Sequence, residues 1–240
     1  MNAPYLSIII PAHNESQRLP HSLEQVFGFL GKQDYRSEVL VVENASTDNT
    51  YQVLQAFAKN HPSLIVLQET LPGKGRAVRR GIQEAKGEYL FAMDADLSMP
   101  VDEIPRFLPP ACTCDIAIAS RESAGAVRYG EPYYRHLTGR VFNLLIRLLL
   151  LPGLQDTQCG FKCFRASAAK EIFQYQTLTG WAFDVEILLI AQRHGFAIHE
   201  VGIPWNYESG SRISVLRDSW RMFLDLLTIQ RNARRGLYDG

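Results

Sequence analysis

Cysteine is scarce, the charges cancel, and no apolar run is long enough to cross a bilayer. Each shortage closes a class of function. Only Cys112, Cys114, Cys159 and Cys163 occur in 240 residues. Their C-x-C and C-x3-C spacings match no usual zinc pattern, so four reduced, structural thiols are expected. Lysine plus arginine number 25 and aspartate plus glutamate 25. A net charge of zero leaves no electrostatic footprint for nucleic acid. The longest greasy stretch, from Val141 to Leu154, is broken by Arg147 and Pro152. It falls short of the ~18 apolar residues a membrane span needs. The opening MNAPYLSIII has no basic segment and no long apolar core. It reads as a first strand rather than a signal peptide, and the chain is expected in a reducing cytoplasm.

What is present is an ordinary globular balance, 46% apolar and 21% charged. That excludes a disordered chain, a collagen-like chain and a disulfide miniprotein. One domain with a helical extension is the economical reading. Short β-branched or apolar runs at 6–10, 38–43, 64–68, 88–94 and 116–120 read as strands. Helical spacing falls between them: Leu19 to Leu30, a start at Ser46-Thr47-Asp48 continuing to Asn60, and Lys74 to about Lys86. Such alternation implies a mostly parallel, doubly wound α/β sheet with helices on both faces. The second half is more helical, with candidates at 132–151, 183–194 and 215–231 and a short strand at 198–201.

Ligands of such sheets sit beyond the carboxyl ends of the strands. The polar clusters fall there. His13-Asn14-Glu15 follows the first strand, Glu43-Asn44 the second, and Asp94-Ala95-Asp96 the fourth. Residues i and i+2 of an extended segment point the same way, and paired carboxylates repel unless a cation lies between them. Mg²⁺ or Mn²⁺ shared with substrate phosphates fits that arrangement; a solvated turn is the plainer alternative. Gly73-Lys74-Gly75 is neither a dinucleotide fingerprint nor a Walker loop, because Val78 stands where the first needs Gly and no Ser or Thr follows Lys74 as the second needs. A phosphate-facing turn or a plain loop both suit it. Arg121, Arg128, Arg135, Arg140 and Arg212 are candidate phosphate clamps, or solvated surface charges. The runs at 156–162 and 181–186 mix aromatics with acids and amides, as sugar pockets do.

In this order the motifs resemble a family-2 glycosyltransferase of the polyprenyl-phosphate type. The matching stretches are IIIPAHNE from Ile8, VVENASTD from Val41, Gly73-Lys74-Gly75, DADLS from Asp94, DTQCGFK from Asp156 and WAFDVE from Trp181. The last two resemble the dolichyl-phosphate β-glucosyltransferase branch more than the mannose branch, and Ser98 departs from the Gln common in mannosyl enzymes. Glu43-Asn44 stands where many members carry Asp-Asp. Glucosyl enzymes of eukaryotes carry an N-terminal membrane anchor that has no counterpart in this sequence, so a bacterial or archaeal enzyme fits better.

The resemblance implies a GT-A fold, a nucleotide-sugar donor such as UDP-glucose, and a divalent cation. Residues 1–125 would form the nucleotide-sugar half and 126–240 the acceptor-binding, membrane-facing half. Pro11, Ala12, Glu15, Glu43, Asn44, Lys74, Asp94 and Ala95 would contact the nucleotide. Asp96 would hold the metal. Arg121, Arg128 and Arg212 would meet the acceptor phosphate. Asp156, Gln158, Trp181 and Asp184 would line the sugar and acceptor pocket. Asp94, Asp96, Asp184 and Arg121 would carry catalysis, with Asp184 orienting acceptor or sugar. A polyprenyl phosphate is the expected acceptor, reached from the inner membrane face through the 141–154 stretch and the last helix. Those helices would alternatively pack on each other or across a homo-oligomer. A GDP-mannose donor, a soluble hydroxyl acceptor and a non-catalytic nucleotide-sugar binder are the competing readings.

Overall fold

The computed structural model describes residues 3–207 and 215–239. Strands β1 (Leu6–Ala12), β2 (Ser37–Asn44), β3 (Leu64–Glu69), β4 (Tyr89–Met93) and β5 (Ile116–Ser120) alternate with helices α1 (Leu19–Leu30), α2 (Thr50–Ala58) and α3 (Lys74–Glu84). A 3-10 turn, Val101–Phe107, links β4 to β5. There follow β6 (Val127–Tyr129), α4 (Tyr133–Leu149), β7 (Phe161–Arg165), α5 (Ala166–Ile172), α6 (Phe183–Arg193), β8 (Ile198–Gly202), β9 (Pro204–Asn206) and α7 (Val215–Arg234). Seven strands form one sheet in the order β3-β2-β1-β4-β7-β5-β8. Only β7 runs antiparallel, between β4 and β5. A small separate ribbon pairs β6 with β9.

The β-branched runs of β1 and β2 are buried on both faces, as parallel strands covered by helices must be. One core lies between the sheet and α1, with Leu6, Ile8, Leu23, Val41 and Phe91. The other lies under α3, α5 and α6, with Ile9, Val78, Ile118 and Leu188. The chain order leaves β1 flanked by β2 on one side and β4 on the other. That reversal opens a crevice at the carboxyl ends of β1 and β4, where doubly wound sheets bind ligands.

Two sequence expectations need correction, and one strand went unread. Residues 161–165 form a strand inside the sheet, which takes in the last two residues of the 156–162 run. Helix α2 starts at Thr50 rather than near Ser46, because Ser46, Thr47 and Asp48 are engaged with the loop after β1. The four thiols are not all reduced. A turn brings the Cα atoms of Cys112 and Cys114 to 5.6 Å, within disulfide reach, and the two are joined. Cys159 and Cys163 are free and buried; burial, then the Asp156 charge, pushes the Cys159 thiol up to about 12. Among the described residues, no helix is long and apolar enough to cross a membrane.

Candidate active site

Among the described residues, three other than glycine adopt the left-handed region: Asn14, Ala45 and Leu97. They sit in the loops that follow β1, β2 and β4, so backbone strain gathers at the carboxyl edge of the sheet, where function tends to concentrate it. Asparagine tolerates this conformation, whereas alanine and leucine adopt it only when their surroundings dictate it.

Those surroundings are a zipper between loops. The Asn14 side-chain carbonyl accepts the Thr47 amide at 2.7 Å and the Asp48 amide at 3.2 Å. The Asn14 amide donates to the Ser46 hydroxyl, and the Glu15 amide to Thr50 Oγ1. Asn44 is buried and spends its side chain on the chain before α3. Its Oδ1 accepts the Gly73 amide at 2.8 Å, and its Nδ2 donates to the Leu71 and Glu69 carbonyls. Glu43 accepts the Ser46 amide at 2.6 Å. Glu43 and Asn44 therefore act as the frame of the crevice. Glu15 is half-buried and lies 3.4 Å from Arg18. Pro11 reaches the crevice wall, beside Lys74 and Asp94.

Lys74 opens α3, and its ammonium lies 2.6 Å from Asp94 Oδ1. Burial acts to lower its affinity for a proton, but the charges of Asp94, Asp184 and Asp96 outweigh that and raise its pKa above the usual lysine value. The same ammonium stands 5.0 Å over the ring of Trp181, which is 49% exposed at the mouth. Asp96 is half-buried, and one carboxylate oxygen accepts the Ser98 amide at 3.0 Å.

Two glycines make this packing possible. A Cβ on Gly160 would collide with the Asp94 carboxylate, and one on Gly75 would lie 2.6 Å from Phe183. The Gly160 carbonyl also accepts the Asp94 amide, fixing the strand end that carries the acids. Phe183 begins α6 and brings Asp184 to the same crevice.

Sequence reasoning gave Lys162 no role, yet it stands at the centre. It is 1% exposed, and its ammonium donates at 2.6 Å to Asp184 Oδ1 and at 2.6 Å to the Cys159 carbonyl. The available signal was a lysine inside an otherwise apolar FKCF strand. Glu186, also missed, is fully buried. It accepts from the Thr177 and Leu178 amides and the Tyr238 hydroxyl, holding the chain terminus against α6.

The acceptor-side candidates form a second group. Arg121 makes a bidentate pair with fully buried Asp156, at 2.6 and 2.9 Å. Burial opposes both charges, but their attraction prevails, raising the arginine and lowering the aspartate. Arg128 is held by Glu122 and Glu131. Both guanidinium groups lie against Trp205, at 5.4 and 5.7 Å. Gln158 is half-buried, its amide on Asp156. Arg212 lies outside the described residues.

A mostly parallel sheet, an acidic strand end and a lysine at the head of α3 thus meet in one crevice. The model of the family described as "Glycosyl transferase family 2" matches residues 7–173. The chain belongs to that family. As a family-2 glycosyltransferase it is an enzyme of sugar transfer. A dolichyl-phosphate β-glucosyltransferase of Trichomonas vaginalis is 32% identical over 98% of this chain and 73% of its own length. The human dolichyl-phosphate β-glucosyltransferase is 32% identical over 94% of this chain and 74% of its own. Among solved structures, the glucosyl-3-phosphoglycerate synthase of Mycobacterium tuberculosis, in complex with Mn²⁺, UDP-glucose and phosphoglyceric acid, superposes with a TM-score of 0.66. That likeness is 17% identical and covers 95% of this chain and 80% of that one. The family-2 sheet is thus a GT-A fold.

Proposed function

We propose that this family-2 enzyme transfers glucose from UDP-glucose to a polyprenyl or dolichyl monophosphate at a membrane surface, inverting the anomeric carbon. The names of its relatives support the donor sugar and the lipid phosphate. The observation that carries the acceptor class is internal. Asp94 and Asp184, the carboxylates that line the crevice beside Lys74 and Lys162, are each held by a lysine ammonium at 2.6 Å. A hydroxyl acceptor needs a carboxylate free to take its proton in the transition state. A phosphate monoester, with a second pKa of ~6, reaches the site already ionised.

In this account an acceptor phosphate oxygen attacks C1 of the sugar from the face opposite UDP. The C1–oxygen electrons pass to the departing diphosphate, and no proton moves. Lys74 places positive charge beside that diphosphate, where it counts most in a water-poor site. Asp96 remains to hold Mg²⁺ or Mn²⁺. Such ions bind one or two carboxylates and fill the rest of their shell from substrate phosphates and water. When bound, that cation offsets charge on the diphosphate. Pro11, Ala12, Glu15 and Ala95 line the nucleotide side over the frame of Glu43 and Asn44. Trp181 and Asp184 face the sugar. Arg121 and Arg128, anchored by acids and stacked on Trp205, with Asp156 and Gln158 behind, wall the acceptor side.

The lipid approach is read from α4 and α7. Their inner faces, Ile146, Leu226 and Ile229, join one core. Their outer faces expose Leu137, Val141, Leu144 and Leu148 on α4, with Trp220, Leu224 and Leu227 on α7. Arg140, Arg147 and Arg231 are exposed on the same helices, the composition of an interfacial surface.

The test offers purified protein UDP-glucose or GDP-mannose, polyprenyl phosphate or polyprenol, with and without Mn²⁺ or Mg²⁺. Product is expected only from UDP-glucose, the phosphate and a metal. Transfer to polyprenol, or from GDP-mannose alone, would overturn the reading.

A further inference from the structure

Buried lysines are rare because an ammonium loses several kcal/mol of hydration unless its surroundings replace it. Lys162 is 1% exposed at the crevice, and its partner Asp184 is 4% exposed. It rises from the one antiparallel strand, opposite Ala92 of β4, and places its ammonium between Asp184 and the Cys159 carbonyl. The crevice holds a second such pair, Lys74 with Asp94, across Gly160. Asp184 lies on the first turn of α6, which is pinned from behind. Phe183 packs on Gly75, and Glu186 grips residues 177 and 178.

We propose that Lys162 is a positioning residue that sets the acceptor class: by holding Asp184 as a fixed anion, it keeps this enzyme from serving acceptors that must surrender a proton. This rests on the transfer to a lipid phosphate argued above. Held this way, Asp184 accepts a hydrogen bond from a hydroxyl of the sugar and aligns it. Without Lys162, Asp184 becomes free to act on water. The water oxygen bonds to C1, the C1–diphosphate bond breaks with its electrons going to UDP, and the water proton goes to Asp184. The product is free glucose.

The experiment measures, for wild type, Lys162→Met, Asp184→Asn and the double variant, both glucosyl-phosphate lipid and free glucose formed from UDP-glucose. Removing a general base costs ~10² to 10⁴ in rate, so Asp184→Asn, which keeps an oxygen for Lys162, should lose only about threefold to tenfold in kcat with the phosphate acceptor. Lys162→Met should raise the ratio of hydrolysis to transfer at least about tenfold, a part of the ~10² to 10⁴ that a well-placed general base supplies. The double variant removes both charges, the change a buried pair tolerates best, and should return that ratio to the wild-type value. The inference is overturned if Lys162→Met lowers hydrolysis and transfer together, or if the double variant keeps the raised ratio. Should Lys162→Met not fold, Asp184→Asn still decides: a kcat loss above about a hundredfold marks Asp184 as the base and overturns the inference. A wild type inactive on the phosphate overturns the functional reading, and this one with it. A wild type that transfers, with variants behaving otherwise, overturns this one alone.

Discussion

Asp156 shows how much can hang on one side chain. Its carboxylate is inaccessible to solvent and both oxygens are committed to Arg121. Replacing it with alanine strands a largely buried guanidinium, which costs about 3–5 kcal/mol. A fall in Tm of roughly 10 °C is expected for a chain of this size. A melt within about 2 °C of wild type would contradict it. Asp48 makes the opposite kind of contribution, at the surface. Burial would raise its pKa, but hydrogen bonds from Thr50 and Ser16 hold it at about 2, below the usual 3.8. A folded value below the unfolded one stabilises above pH ~4 and stops doing so as pH falls toward ~2. Asp48→Asn should therefore flatten the pH dependence of the urea midpoint in that window, and an unchanged slope would refute it. At this scale the acids at the strand ends were legible in the sequence, because an apolar strand stopping at D-x-D announces a sheet edge. Lys162 was not legible, because nothing local distinguishes a buried, paired lysine from one that leaves its strand for solvent. Its partner is 22 residues away.

Among the elements, β7 is the informative surprise. The alternation of strands and helices was readable up to β5, since each of those strands is a short buried run bounded by turns. Strand β7 carries Lys162 and ends a segment rich in polar residues, so it read as pocket rather than sheet. Its antiparallel insertion between β4 and β5 is a long-range choice that no local propensity encodes. That insertion places Gly160 against Asp94. Gly160→Ala should push the Asp94 carboxylate off Lys74 while leaving the core intact. Initial rates are expected to fall about a hundredfold with melting temperature nearly unchanged, as a misplaced catalytic group does. Retained activity would mean that the Asp94 position is unimportant. The late start of α2 has a similar lesson. Ser46-Thr47-Asp48 has the composition of a helix cap, but the loop after β1 claims those groups first.

Across the whole molecule, the proposed function joins the polar crevice to the apolar, arginine-bordered outer faces of α4 and α7. The greasy stretch near residue 145 was legible as a helix for a membrane surface or for packing on another helix. Which side chains it would keep outside was not, because that depends on how α7 packs against it. If the ridge meets lipid, wild type should float with anionic liposomes at low salt, and the pair Leu144→Glu with Leu148→Glu should stay behind while folding normally. Equal flotation of the two would exclude this surface. All of it depends on a nucleotide sugar anchored at the edge of β4 through Asp96. The most direct measurement is a calorimetric titration of UDP with Mn²⁺ into wild type and into Asp96→Ala. Tight, metal-dependent binding to wild type and at least about a hundredfold weaker binding to the variant, some 2.7 kcal/mol, is the predicted result. Equal affinity for both proteins would show that the donor binds elsewhere and would contradict the account.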